Sequence, residues 1–219
     1  MDATLLPVKQ FSQSKQRLAG WLTPAEREDL ARTMFEDVWE TLRSWNGFGS
    51  LLVITAEPYV QSRCEREGVQ CREEEEQVSH SDSVARATQW AMDQGVQRLL
   101  SLPIDTPAMN GEELTELAGH AASSDVVIVP SGDGTGTNAL LRTPPDAIAP
   151  LFGPGSCQRH AEAAETAGRS HSIVRIPGLM ADVDTPEEVK RFLEMVRRCR
   201  TAEMLKQFLR SRPGVGICS

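Results

Sequence analysis

Two spacings of apolar residues take turns along this chain. Short continuous apolar runs such as "SLLVIT" (50–55), "VQRLLSLP" (96–103) and "DVVIVP" (125–130) read as strands buried on both faces. Between them the apolar residues recur at helical spacing. Leu30, Met34, Val38 and Leu42 mark one buried stripe of a helix that begins at "TPAE", where Thr23 is the N-cap, Pro24 suits the first turn and Glu26 completes a capping box. The same reading gives an extended opening at "LPVKQF", a helix around 59–67, and a short strand at "GVQCR" (68–72). Helices follow at 83–95, closed by Gly95, and at 110–122, where Asn110 and Glu113 form a second capping box. "TNALLR" (137–142) and "HSIVRIP" (171–177) read as strands, and 155–168 as a helix ending in Gly168. A third capping-box start, the second of T-P-x-E form, at Thr185, opens a helix over 185–199, and "AEMLKQFLRS" continues as helix. The apolar and basic stretch from Met204 to Arg210 is expected to pack on the core or on a partner.

Strands alternating with helices predict a single doubly wound α/β domain over 1–219, with a mainly parallel sheet and helices on both faces. A chain of 219 residues suits one such core. In these folds ligands sit beyond the carboxyl ends of the strands. The loops that directly follow strands are therefore the ones to search.

Charge and cysteine content narrow the function. A formal charge of -8 argues against broad nucleic-acid binding, which needs a basic face. No apolar run reaches the ~20 residues that span a bilayer, and Lys9, Lys15 and Arg17 stand where a secretory segment would be apolar. A soluble cytoplasmic protein is expected. The five cysteines form no C-x-x-C pair and read as reduced thiols, Cys157 as a structural one. The acidic run at 73–76 reads as a solvated loop.

Four post-strand segments carry candidate chemistry. "LPVKQFSQSKQRL" (6–18) gathers Lys9, Lys15 and Arg17, cations suited to a polyphosphate. "SLPIDTP" (101–107) stiffens Asp105 between two prolines, where a carboxylate is placed for a hard cation. "ADVDTPEE" (181–188) puts Asp182 and Asp184 on one side of an extended chain, while Glu187 and Glu188 are first-turn helix acids. "SGDGTGTNALL" (131–141), with "FGPGS" (152–156) downstream, offers neutral donors from Thr137, Asn138, Gly153 and Ser156. It matches neither the P-loop nor the dinucleotide fingerprint, since no Gly-Lys-[Ser/Thr] is present and Thr137 stands where a third glycine belongs. His160, one turn beyond Ser156, is placed to touch an acidic ligand or to serve as a surface or capping residue. The other three histidines read as structural or exposed.

Together "LPVKQFSQSKQRL", "LPIDTP", "GTGTNALL", "FGPGSCQRHAEAAETAG" and "DVDTPEEV" resemble the 2-phospho-L-lactate guanylyltransferase family of coenzyme F-420 biosynthesis, in the same order and over nearly the whole chain. The resemblance implies a Rossmann-like nucleotidyltransferase fold. It also implies transfer of GMP from GTP to 2-phospho-L-lactate, phosphoenolpyruvate or 3-phospho-D-glycerate, with Mg2+ as the metal and pyrophosphate as the leaving group. It places GTP on Pro7, Val8, Lys9, Lys15 and Arg17, and the metal on Asp105, Asp182 and Asp184. Thr137, Asn138, Gly153 and Ser156 fall to the acceptor, and Asp105, Lys15 and Arg17 to catalysis. A homodimer and hand-over of the product to the next transferase of the pathway come from the family as well. Two departures fall where base or acceptor is read: "HSDSVARA" replaces a leucine-asparagine-alanine segment, and Glu57 stands for Asp. The rival readings are a same-fold transferase acting on a sugar phosphate or a molybdenum cofactor, a metal-dependent glycosyltransferase, and a non-catalytic binder. A glycine-rich loop usual in the first is replaced here by Pro7, Val8 and Lys9.

Overall fold

The computed structural model describes residues 1–74, 79–196 and 198–211. Seven strands form one sheet: β1 (Asp2–Val8), β2 (Ser50–Thr55), β3 (Gln70–Glu73), β4 (Arg98–Ser101), β5 (Val126–Pro130), β6 (Thr137–Arg142) and β7 (His171–Ile173), in the order β3-β2-β1-β4-β6-β5-β7. Among the described residues eight α-helices surround it: α1 (Pro24–Ser44), α2 (Pro58–Glu67), α3 (His80–Asp93), α4 (Gly111–Gly119), α5 (Ser156–Thr166), α6 (Pro177–Met180), α7 (Pro186–Met195) and α8 (Arg200–Ser211).

Each inner strand buries alternate residues on opposite faces. In β1, Leu6 and Val8 join a cluster with Phe35, Trp39 and Leu117 on one face, while Ala3 and Leu5 join Val84, Ala87 and Ala91 of α3 on the other. In β5, Val127 and Val129 face the first cluster, and Val126 and Ile128 pack on Ala161 and Ala164 of α5. Helices are thus required on both faces, as the continuous apolar runs predict. The three predicted capping boxes all form, at Thr23, Asn110 and Thr185. Leu30, Met34, Val38 and Leu42 are all buried. The stretch from Met204 to Arg210 lies in α8, which packs against α1 and α7 through Ala202 and Leu205, with Phe208 edge-on to Trp21.

The sheet is mainly parallel as expected, with one exception, and two other expectations are corrected. Strand β6 runs antiparallel to both its neighbours, β4 and β5. Only residues 131–136 join β5 to β6, whereas a parallel crossover needs roughly a dozen residues or more. "HSIVRIP" is a strand only to Ile173, and α6 separates it from the aspartate pair. In the acidic run, Glu74 is buried and its carboxylate accepts from Ser83 Oγ and the Arg86 guanidinium at 2.5 Å each, so it is a fixed side chain and not part of a solvated loop. Glu75 and Glu76 of that run, and Cys218, lie outside the described residues.

Candidate active site

At the edge of the sheet where β1, β4 and β5 end lies a cleft of about 620 Å³. Its walls include Pro7, Lys9, Lys15, Arg17, Asp105, Thr137, Asn138, Gly153, Ser156, Asp182 and Asp184. Of the expected site residues only Val8 is missing from the lining. Its side chain is in the core, and its carbonyl accepts from Thr55 Oγ1. The structure therefore brings together segments from four separate parts of the chain.

One end of the cleft carries the charge. Lys15 is buried, and its Nζ donates to Asp105 Oδ1 at 2.5 Å and to the Val183 carbonyl at 2.6 Å. Among the described residues it is the only non-glycine with positive φ, at 55°. Left-handed backbone at a lysine costs about 1–2 kcal/mol, so these two charge-assisted bonds hold a locally disfavoured turn in place. Arg17 is exposed and pairs with Asp184 at 3.2 Å. Burial, together with the neighbouring Asp105 and Asp182, pushes the Asp184 carboxyl above its ordinary value, against the pull of Lys15 and Arg17. Asp182 does not point at the same partner: its Oδ1 accepts the Gly132 N–H at 3.1 Å. A Cβ at residue 132 would lie 2.9 Å from the Met180 carbonyl and 3.2 Å from Asp182 Oδ1, so glycine is needed for this close approach. Among the described residues no three His, Cys, Asp or Glu side chains form a ready-made metal cluster.

The other end is lined mostly by uncharged groups, with one carboxylate, Asp133, in its loop. The 131–136 loop is a hairpin fastened by Asp133, whose carboxylate accepts from Ser131 Oγ and from the Thr135 N–H and hydroxyl. Those bonds, that from Ser131 first, hold its pKa down to about 2. Asp133 thus organises the loop. Asn138 spends its amide N–H on the Leu179 carbonyl. The Ser156 N–H donates to the Gly153 carbonyl and the Cys157 N–H to the Thr135 carbonyl, so these two amides at the start of α5 are taken. Gly153 has φ of 114°, a region that only glycine enters readily. Arg159 wraps the loop before it, donating to the carbonyls of Leu151, Phe152 and Pro154. The Thr137 hydroxyl and the backbone around Gly153 line this end of the cleft.

Several positions in and around the cleft escape a reading by residue type. His160 is fully buried, which removes a surface role; its Nδ1 lies 3.0 Å from Thr137 Oγ1, and its Nε2 accepts the Leu151 N–H at 2.8 Å. Its four-residue spacing from Ser156, on the same face of α5, is the signal in the sequence. His80 and Phe152 also line the cleft, with ring centroids 4.7 Å apart, and Phe152 stands 5.2 Å from His160. His80, expected to be structural or exposed, is thus a wall residue at the start of the altered "HSDSVARA" segment. Burial first, then Lys9, keeps it neutral to about 4. Glu57 caps α2 through the Tyr59 N–H and accepts the Phe11 N–H at 3.0 Å. Each of its oxygens accepts a backbone N–H, so this departure ties the first loop to α2. Burial raises the Cys157 thiol pKa, in keeping with a structural thiol.

With the cleft described, comparison with known proteins identifies the family. The model of the CofC-like guanylyl transferases matches residues 2–211. The chain belongs to that family. It is 38% identical over 216 residues, 95% of this chain and 97% of the relative, to the phosphoenolpyruvate guanylyltransferase of Conexibacter woesei. It is 31% identical to the 2-phospho-L-lactate guanylyltransferase of Methanothermobacter thermautotrophicus, over 84% of this chain and 81% of that one. The 3-phospho-D-glycerate guanylyltransferase of Colwellia psychrerythraea is 28% identical over 90% of this chain and 98% of its own. In fold the chain resembles a proposed nucleotide-diphospho-sugar transferase from Desulfovibrio desulfuricans G20, with a TM-score of 0.76 at 16% identity, covering 95% and 96% of the two chains. This family member thus has the Rossmann-like nucleotidyltransferase fold. Among the described residues no helix is long and apolar enough to cross a membrane.

Proposed function

We propose that this chain transfers GMP from GTP to a phosphorylated three-carbon acid with release of pyrophosphate, a step in assembly of coenzyme F-420. The observation that carries this reading is one cleft with two unlike ends. Lys9, Arg17 and the Lys15–Asp105 pair suit a triphosphate, and Thr137 with the backbone around Gly153 suits a small anionic acid, Ser156 bracing Thr137 from behind. Phosphoenolpyruvate is the first acceptor to try, because the relative 38% identical to this chain carries its name. 2-Phospho-L-lactate and 3-phospho-D-glycerate are the alternatives.

In the reaction an oxygen of the acceptor phosphate attacks the α-phosphorus of GTP, and the bond from that phosphorus to the bridging oxygen breaks. The acceptor oxygen is already ionised near neutral pH, since a phosphate monoester has its second pKa near ~6, so no side chain need take a proton. The work left to the chain is positioning and charge neutralisation. Lys9 and Arg17 face the triphosphate. Lys15 offsets charge within the carboxylate set and fixes Asp105. Asp105, Asp182 and Asp184 are hard oxygen donors without nitrogen or sulfur among them, a set that would hold Mg2+. Bound there, the metal would neutralise developing phosphate charge.

The test is pyrophosphate release from GTP and Mg2+ with each of the three acids in turn, with the product captured by the next transferase and weighed. Release with one acid, and with GTP in preference to ATP, is expected. GTP binding without release in any mixture would refute the reaction.

A further inference from the structure

We propose that His160 is a positioning residue of the acceptor end, turning the Thr137 hydroxyl into a fixed donor toward the acidic substrate. The inference rests on the reaction proposed above. A backbone N–H can only donate, so the Leu151 N–H at 2.8 Å leaves His160 Nε2 without a proton. In the neutral ring the proton then sits on Nδ1, which is 3.0 Å from Thr137 Oγ1 and donates to it. Ser156 Oγ donates to the same oxygen at 3.2 Å. A hydroxyl has two acceptor sites and one proton. Both acceptor sites are filled from the buried side, and the proton is left for the cleft that Thr137 lines.

An anion offers only acceptors. A hydroxyl locked as donor suits it better than one free to rotate, because no reorientation is needed when the ligand arrives. The surroundings hold the ring in this form. His160 is buried beside Phe152, and the charged groups facing it are Arg142 from β6 and Arg159 from α5. Burial first, then these two cations, keep it neutral down to about 4. Arg159 and His160 also grip both polar groups of the Leu151 backbone, two residues before Gly153.

A merely structural histidine would anchor Leu151 and do nothing more, and two substitutions separate the roles. H160N keeps an N–H near the Nδ1 position and loses the acceptor for Leu151. H160Q keeps an acceptor near Nε2 and loses the donor to Thr137. H160Q is expected to raise the acceptor KM by about tenfold and H160N by less than about threefold, with the GTP KM unchanged in both. In a Thr137→Val background the difference should vanish. Equal effects, the reverse order, or a matching rise in the GTP KM would overturn the proposal. Nitrogen-15 NMR of the wild-type chain supplies a readout that needs no variant: protonated Nδ1 with bare Nε2 is expected, and the opposite tautomer or an imidazolium at neutral pH would overturn it. If the wild type uses none of the acids, the reaction fails, and the tautomer alone then decides whether Thr137 is a locked donor.

Discussion

The two ends of the cleft are assembled in opposite ways. At the charged end Lys15 meets Asp105 and Val183 across 90 and 168 positions of sequence. At the neutral end Thr137, Ser156 and His160 lie within 23 positions of one another. The charged end depends on remote partners: the buried Lys15 ammonium must be compensated, and its carboxylate and carbonyl come from the loops after β4 and α6. The neutral end needs none. Its hydroxyls and imidazole are satisfied by one hairpin and the helix that follows. Charged contacts here should therefore couple stability to activity, and neutral contacts should tune substrate affinity.

The largest effect is expected at Asp105. Asp105→Ala removes a proposed metal ligand and leaves Lys15 buried without its carboxylate. Turnover should fall about a thousandfold or more, and stability by about 2 kcal/mol, discounted because the Asp105 side chain is 42% exposed. Steady-state rates and urea melts on the same samples would check both. Lost turnover with unchanged stability would mean that the two roles are separable.

Acid should strike the neutral end next. His160 has a folded pKa of about 4 against an ordinary 6.5, so the unfolded chain binds the proton more readily. Its contribution is complete above pH 6.5 and is lost as pH falls toward 4, approaching about 3 kcal/mol. Stability against pH should therefore slope less steeply across that window in H160N than in the wild type. Parallel slopes would contradict the buried neutral ring.

Gly132→Ala tests the seam between the two ends. Its Cβ would meet the Met180 carbonyl at 2.9 Å and press on Asp182. A loss of about 1–2 kcal/mol is expected in thermal melts, with weakened activity. The smallest effect belongs to Arg17→Ala. Its side chain is 66% exposed, so stability should stay within about 0.5 kcal/mol while the GTP KM rises a few-fold.

The contrast also explains what could be read without a structure. Thr23, Asn110 and Thr185 announced their helices because a capping box is satisfied within four residues. The buried strands were legible because a run of apolar residues fits only a covered sheet. The antiparallel direction of β6 was available in principle from the six-residue gap at 131–136. The Lys15–Asp105 pair was not, because no local pattern records a partner 90 positions away. His160 and Glu57 look like ordinary polar residues in sequence, and only burial and backbone contacts reveal their parts. The roles of the cleft residues came from family resemblance joined to residue chemistry, and the geometry refines them: Asn138 braces α6, and Val8 lies in the core.

The division of the cleft is tested most directly by measuring both substrate KM values in two variants, Lys9→Ala and Thr137→Val. A crossed result is expected. Lys9→Ala should raise the GTP KM and spare that of the acid, while Thr137→Val should raise the acid KM about tenfold and spare that of GTP. Equal rises for both substrates in both variants would contradict a cleft with separate nucleotide and acceptor ends.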